Sequence, residues 1–390
     1  MKKFSKRDIK IFISGALAAV LLASGIGAAG YLINPNSPTG LGVQSKIKKI
    51  SNIIQQNFLY DTDDEKLADG IYSGLIEGLD DKYAHYYNAE DYKKANENTQ
   101  GEYKGIGIIM LQEKDSDEIQ VGHVYEDSPA DKAGMKTGDV FYKVNDEEVT
   151  GYELSAISDL IQNSDSDKVK ITVYRSSSDS YIDFEMTPEE IEVPVVSSEM
   201  KDDQIGYIAI YQFTAKTASQ FEDAYNDMLD QGAKSLVIDL RDNPGGLLTG
   251  VVDTLNVFMP KGLLVYTKDK KGHKESYESD CENPIDIPLV VLINENSASA
   301  SEIFAGAVKD REVGTLVGTT SYGKGIVQSM FSLGDGSYIK LTTAEYYTPS
   351  GENIHGKGIT PDIEVEASDN EEDDAQLDQA LATAKEKMEE

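Results

Sequence analysis

The 390-residue chain carries 36 Lys and Arg against 69 Asp and Glu, a formal net charge of −33, and 39% of its residues are hydrophobic. So acidic a body repels phosphate backbones, which argues against nucleic acid as a partner. A single cysteine, Cys281, excludes an internal disulfide, and the length allows two or three domains.

The first ten residues run against the overall charge, with Lys2, Lys3, Lys6, Arg7 and Lys10 against Asp8 alone. Residues 11–33 are almost wholly apolar or small, long enough to span a hydrocarbon core. An uncleaved anchor is the expectation, although the small residues Ala28-Ala29-Gly30 keep a cleavable signal open. The cationic end would stay cytoplasmic and everything after Asn34 would lie on the extracytoplasmic side of the cell membrane. Residues 34–42 read as a linker by their Pro, Gly, Ser and Asn content.

Val43, Ile47, Ile50, Ile54 and Phe58 then recur at helical spacing. Thr62 and Glu65 form a capping-box pattern ahead of a second stripe, Leu67, Ile71, Leu75 and Leu79. Residues 100–186 alternate short apolar runs with Gly-rich turns and predict a small β-rich module. Its strands fall at 105–110, 118–125, 138–145 and 169–174, with helices at 128–134 and 154–161. The GIGI loop, the Ser128-Pro129-Ala130…Ala133-Gly134-Met135 segment and the Gly138-Asp139 strand resemble a PDZ domain. That resemblance implies capture of a peptide C-terminus by strand addition, its carboxylate held at Lys104, Gly105, Ile106, Gly107 and Ile108.

From residue 191 the pattern becomes α/β, with strands at 205–210 and 235–240 and helices at 218–231 and 247–258. The stretch Asp239-Leu240-Arg241-Asp242-Asn243-Pro244-Gly245-Gly246 places backbone amides at a strand end, which suits an anion. Residues 291–328 hold the densest chemistry. An apolar strand leads into Ser297-Ala298-Ser299-Ala300-Ser301-Glu302, a helix is predicted over 299–309, and Lys324 follows between glycines in Tyr322-Gly323-Lys324-Gly325. Small residues around a serine leave room for a carbonyl, the helix start favours an oxyanion, and a buried neutral lysine can serve as base. The three alternating serines are not distinguished by spacing alone.

These two motifs, with the Gly-Gly loop, resemble the carboxyl-terminal processing proteases, PDZ-containing Ser/Lys peptidases of the S41 type. The resemblance covers residues 43–366 and implies Ser299 as nucleophile, Lys324 as base and Gln328 as the residue orienting the lysine. It implies an oxyanion hole from the backbone N–H groups of Gly245 and Ala300, and substrates that are exported proteins with free C-termini. It also implies that the N-terminal helices support a homodimer; simple packing on the main core is the other account of those stripes. In a straight strand Gln328 would lie about 13 Å from Lys324, so contact requires a bend. No HExxH or CxxC pattern occurs, so neither metal nor cofactor is expected.

The expected architecture is α+β and multi-domain. Residues 1–33 form a membrane anchor, 34–99 a helical region, 100–186 a PDZ domain, 187–366 an α/β protease core and 367–390 an acidic tail with a short helix. Two other classes fit parts of the sequence: a membrane-tethered PDZ scaffold with an inactive hydrolase body, and a Ser-His hydrolase using His85, His123, His273 or His355. The strings Ser45-Lys46-Ile47-Lys48, Lys136-Thr137-Gly138 and Ser368-Asp369-Asn370 match β-lactamase motifs, but in the wrong order and in separate modules.

Overall fold

A computed structural model of the chain describes residues 37–389 apart from 39, 113–117, 163–166, 369 and 371–372. It forms two compact units that divide after Asn88. The apolar stretch 11–33 lies outside the described residues, among which no helix is long and apolar enough to cross a membrane.

The first unit holds the helices Leu41–Asn57 and Asp64–Glu77. The second is capped by Asp63, whose side chain accepts from the amides of Glu65 and Lys66. The expected Thr62/Glu65 box is therefore displaced by one residue: aspartate is at least as good a cap as threonine and starts the helix first. No residue of Leu41–Asn57 is buried.

The second unit opens with the helix Ala89–Gln100, polar enough that periodicity did not mark it. Strands Glu102–Gly105 and Glu189–Glu192 then pair antiparallel, so the chain enters and leaves the β-rich module side by side. Within it the sheet runs, in spatial order, Ile108–Gln112, Ile119–Val124, Val140–Val144, Val169–Arg175 and Ser180–Met186. The sequence reading took the fourth of these as the last strand of the 100–186 module; Ser180–Met186 closes the sheet instead, burying Phe184 and Met186 against Val169, Ile171 and Val173. Ser128 caps the short helix Pro129–Ala133, and Gly134 ends it at φ 83°, as the sequence predicts.

The remaining chain builds a six-stranded sheet in the order Val196–Lys201, Ile205–Ile210, Ser235–Asp239, Leu289–Ile293, Thr315–Gly318, Ile363–Glu364. All neighbours after the first pair are parallel. Ser235–Asp239 and Leu289–Ile293 are buried at every residue, because both sheet faces are covered. Helices Thr217–Asp230, Leu248–Phe258 and Ala300–Asp310 cover one face through Phe221, Leu255, Phe258 and Phe304. The C-terminal helix Ala375–Met388 covers the other, setting Ala380 and Ala384 against Val237, Val290, Leu292 and Val317. An antiparallel sheet, in which Tyr338–Tyr347 pairs with both Ile326–Ser332 and Gly262–Asp269, lies beside this core.

Phe304 is fully buried, its ring 5.6 Å from that of Phe258 and 6.3 Å from that of Phe213. Phe304→Ala should destabilise the protein by about 3–5 kcal/mol, as a cavity in so closed a site cannot collapse; a shift in the urea midpoint at unchanged slope checks this.

Candidate active site

Two neighbouring parallel strands, Ser235–Asp239 and Leu289–Ile293, deliver their C-terminal ends to one edge of the core sheet. That edge is where open α/β sheets bind ligands. From the second strand the chain passes through Asn294-Glu295-Asn296-Ser297-Ala298 to Ser299, and the helix Ala300–Asp310 begins directly behind it. Ser299 sits at φ 57°, ψ −109°, a backbone conformation that L-residues rarely adopt. Such strain typically costs about 1–3 kcal/mol and persists only where surrounding bonds enforce it. Among the described residues the Ala300 amide has no hydrogen-bond acceptor, and it points from the positive end of an eleven-residue helix.

The enforcing group is Glu302, fully buried one turn into the helix. Its Oε2 accepts the amides of Ser299 and Lys324, both at 2.8 Å. Its Oε1 accepts the Gly323 amide at 2.7 Å and the Ser321 hydroxyl at 2.6 Å. The serine turn and the lysine loop are thus pinned to the two oxygens of one carboxylate. The Tyr346 hydroxyl donates to the Ser299 carbonyl at 3.0 Å; burial, then the Glu302 charge, hold this phenol well above its ordinary pKa, so it remains a donor. Ser321 Oγ also accepts the Ile359 amide at 2.7 Å, tying the lysine loop to the segment after the second sheet. Gly323 and Gly325 are needed for that approach: a Cβ on Gly323 would lie 3.0 Å from the Lys357 and Gly358 amides, and one on Gly325 2.6 Å from the His355 amide.

The Arg241–Gly246 loop faces the serine turn. Asn243 is buried; its side chain donates to the Ile210 carbonyl and accepts the Gly245 amide, both at 2.8 Å. Its carbonyl accepts the Ala298 amide at 3.1 Å and the Ser301 hydroxyl at 2.9 Å. Gly245, at φ 98°, lies so close that a Cβ there would be 2.9 Å from both the Ala300 amide nitrogen and Ser299 Cβ. Asp242 anchors the same loop to Asn294 and Asn296 at 2.9 and 2.8 Å, and those amides, Asn296 first, hold its carboxyl below the usual range.

Comparison with known proteins matches this arrangement to peptidase family S41 over residues 204–365, to a PDZ domain over 120–175 and to the N-terminal domain of the activating protease CtpB over 34–91. The carboxy-terminal processing protease CtpA of Bacillus subtilis is 37% identical over 369 residues, covering 93% of this chain and 78% of that one. The chain belongs to the carboxy-terminal processing proteases of family S41. A CtpA-like serine protease of Staphylococcus aureus is 34% identical, covering 91% of this chain and 72% of its own length. An S41 protease structure from Bacteroides fragilis superposes with a TM-score of 0.50 at 15% identity, covering 80% of this chain and 90% of that one, which speaks to the fold alone. The protein is therefore a serine-type C-terminal processing peptidase with a PDZ domain.

Around this processing-protease core the sequence-predicted residues fall as follows. Ser299, Ala300, Lys324 and Gly245 converge at one sheet edge. The Gly245 amide is engaged by Asn243 Oδ1. Gln328 lies on the strand Ile326–Ser332 just past a register shift between Val327 and Gln328, and its Nε2 donates to Thr342 Oγ1 at 3.4 Å. Lys104 and Gly105 end the entry strand, Ile106 is buried, and Gly107 turns at φ 78° into Ile108 on the free edge of the module's sheet. Tyr103, Lys104, Gly105, Ile106 and Ile108, with Met110, Ser158, Ile161 and Gln162, border a groove of about 80 Å³. The four histidines are all exposed, and among the described residues none joins the network around Glu302. Sequence reasoning missed Glu302 and Asn243. The Ser299-x-x-Glu302 spacing is a capping-box signal that marks the former; the latter carries no local signal.

Glu302→Gln leaves one oxygen and an amide to face four donors. A charge-assisted bond contributes about 1.5–3 kcal/mol, so kcat should fall roughly ten- to a hundredfold while the far-ultraviolet spectrum stays native; steady-state cleavage of a peptide substrate decides it.

Proposed function

We propose that the protease works through a Ser299/Lys324 dyad. The observation that carries this is the single buried carboxylate accepting the backbone amides of both residues. Neutral Lys324 takes the Ser299 hydroxyl proton as the oxygen attacks a peptide carbonyl. The acyl-enzyme forms when the amine leaves with that proton, and water then releases the acid. The Ala300 amide receives the oxyanion, and the Gly245 amide joins it by turning from or sharing its bond to Asn243. Losing one such donor typically costs about 2.7–4 kcal/mol. Gln328 serves to orient the lysine, supported by its place just past the bulge. The PDZ groove at 104–108 takes the free C-terminus of a protein substrate as an added strand on Ile108–Gln112.

Residues 11–33 tether the protein to the cell membrane, with the catalytic body on the extracytoplasmic side, so substrates are exported proteins that are processed or degraded there. The cationic start and the length of the apolar run support this. The first unit leaves Leu41, Ile50, Ile53, Phe58 and Leu59 exposed, and exposed apolar side chains in this number support a homodimer through these helices. Membrane fractionation of the full chain against one lacking residues 1–33, and sedimentation of the shorter chain with and without Ile50→Asp, test the two points: a full chain that stays soluble, or a monomer at every concentration, refutes the corresponding one.

Incubation of the protein with a fluorogenic peptide ending in apolar residues tests the dyad. Ser299→Ala and Lys324→Ala should each lower kcat by at least about a thousandfold, in line with removal of a nucleophile or its base, and amidation of the peptide C-terminus should lower kcat/KM in the wild type. Retained turnover in either variant would sink the dyad.

A further inference from the structure

The loop that abuts Ser299 is anchored by three successive residues, each to a different element. Asp242 holds Asn294 and Asn296, and Asn243 holds Ile210, Ala298 and Ser301. The first anchor, Arg241, reaches across 133 positions of sequence to the acidic tail. Its Nη1 and Nη2 donate to Asp374 Oδ1 and Oδ2 at 2.7 and 2.9 Å. Its Nε and Nη2 donate to Asp239 at 3.0 and 2.7 Å, and the Arg241 amide itself donates to Asp239 Oδ1 at 2.9 Å. Nη1 lies 3.4 Å from Gln376 Oε1. Tyr207 completes the cluster with a 2.8 Å bond to Asp239. The guanidinium side chain is only 16% exposed, and two bidentate carboxylates fix its plane and its position together.

Asp374 is also the cap of the C-terminal helix, its Oδ1 accepting the Leu377 amide at 3.0 Å. One oxygen therefore serves both the start of Ala375–Met388 and the loop that carries Gly245. That helix is the layer on the sheet face opposite the serine helix, the short helix of the acidic tail.

We infer that the C-terminal helix is part of the catalytic framework: docked through Asp374, it sets Arg241, and Arg241 is a positioning residue that holds the Arg241–Gly246 loop against Ser299. The inference rests on Ser299 as nucleophile. Without the tail, one of the two carboxylates that clamp the guanidinium is gone and Arg241 retains only Asp239, two residues back on its own strand; Asp242 and Asn243 still hold the rest of the loop, so it is the Arg241 end that loosens. Ground-state peptide binding does not depend on Gly245 and Ala300 lying in register; stabilisation of the oxyanion does.

The test uses the full chain and a fluorogenic peptide ending in apolar residues, well below the melting temperature of every variant. Asp374→Asn keeps an oxygen for the Leu377 amide and removes the charge facing Arg241, so it separates capping from positioning. Its kcat should fall on the order of tenfold, the size of one charge-assisted bond, with KM within about twofold. Affinity for a peptide boronic acid, which mimics the tetrahedral intermediate, should fall in step. Asp374→Glu should recover most of the loss, and amide exchange over residues 375–388 reports whether the helix stays docked. Wild-type kcat and boronic acid affinity in Asp374→Asn overturn the inference, as does a loss in kcat that only follows the unfolded fraction. Asp374→Ala, lacking both roles, must be at least as impaired in kcat; if it is not, the inference also fails. Full activity in Ser299→Ala would instead refute the nucleophile assignment on which it rests.

Discussion

The buried Glu302 carboxylate is the constraint on which the site depends. A carboxylate taken out of water is unfavourable unless its lone pairs are filled, and here both oxygens are filled by donors from the serine turn and the lysine loop. The strained backbone of Ser299 is one consequence: its amide is drawn toward Glu302 while its carbonyl is held by Tyr346. The position of Lys324 is another. Three backbone amides and a hydroxyl occupy Glu302 here, so its hydrogen-bonding capacity goes into holding the loop.

The second determinant is the stack of layers. Parallel strands buried on both faces lie close together and end at the same edge, which brings the loops after Asp239 and Ile293 side by side. Small residues then do what large ones could not. Gly245, Gly323 and Gly325 each allow a backbone approach that a Cβ would block. The PDZ module is inserted through one pair of strands, so its groove is built on a stem continuous with the core while having its own hydrophobic centre.

Much of this was legible in the chain. Apolar runs marked the strands at the centre of the two largest sheets, such as Val169–Arg175, Ser235–Asp239 and Leu289–Ile293, and the Ser299 and Lys324 motifs with their spacing indicated a hydrolase and its family. The departures have local causes. Asp63 outcompetes Thr62 as a cap; the helix Ala89–Gln100 has no apolar stripe; Ser180–Met186 does alternate exposed with more buried residues, and that signal was passed over beside the serine-rich turn that precedes it. Glu302 looked like one more helix-forming residue, because three of its four donors lie nineteen and more positions away.

The sequence by itself determined the class of chemistry, since a serine set among small residues before a helix and an isolated lysine between glycines are readable in one dimension. It also marked buried strands such as Ser235–Asp239 and Leu289–Ile293, since hydrophobic period is a local property. Only the tertiary structure decided which carboxylate unites the Ser299 turn with the Lys324 loop, that Asn243 already occupies the Gly245 amide, and that the tail's helix is locked to Arg241. Hydrogen bonds between residues far apart in sequence leave no periodic trace, so they appear only once the chain has closed on itself.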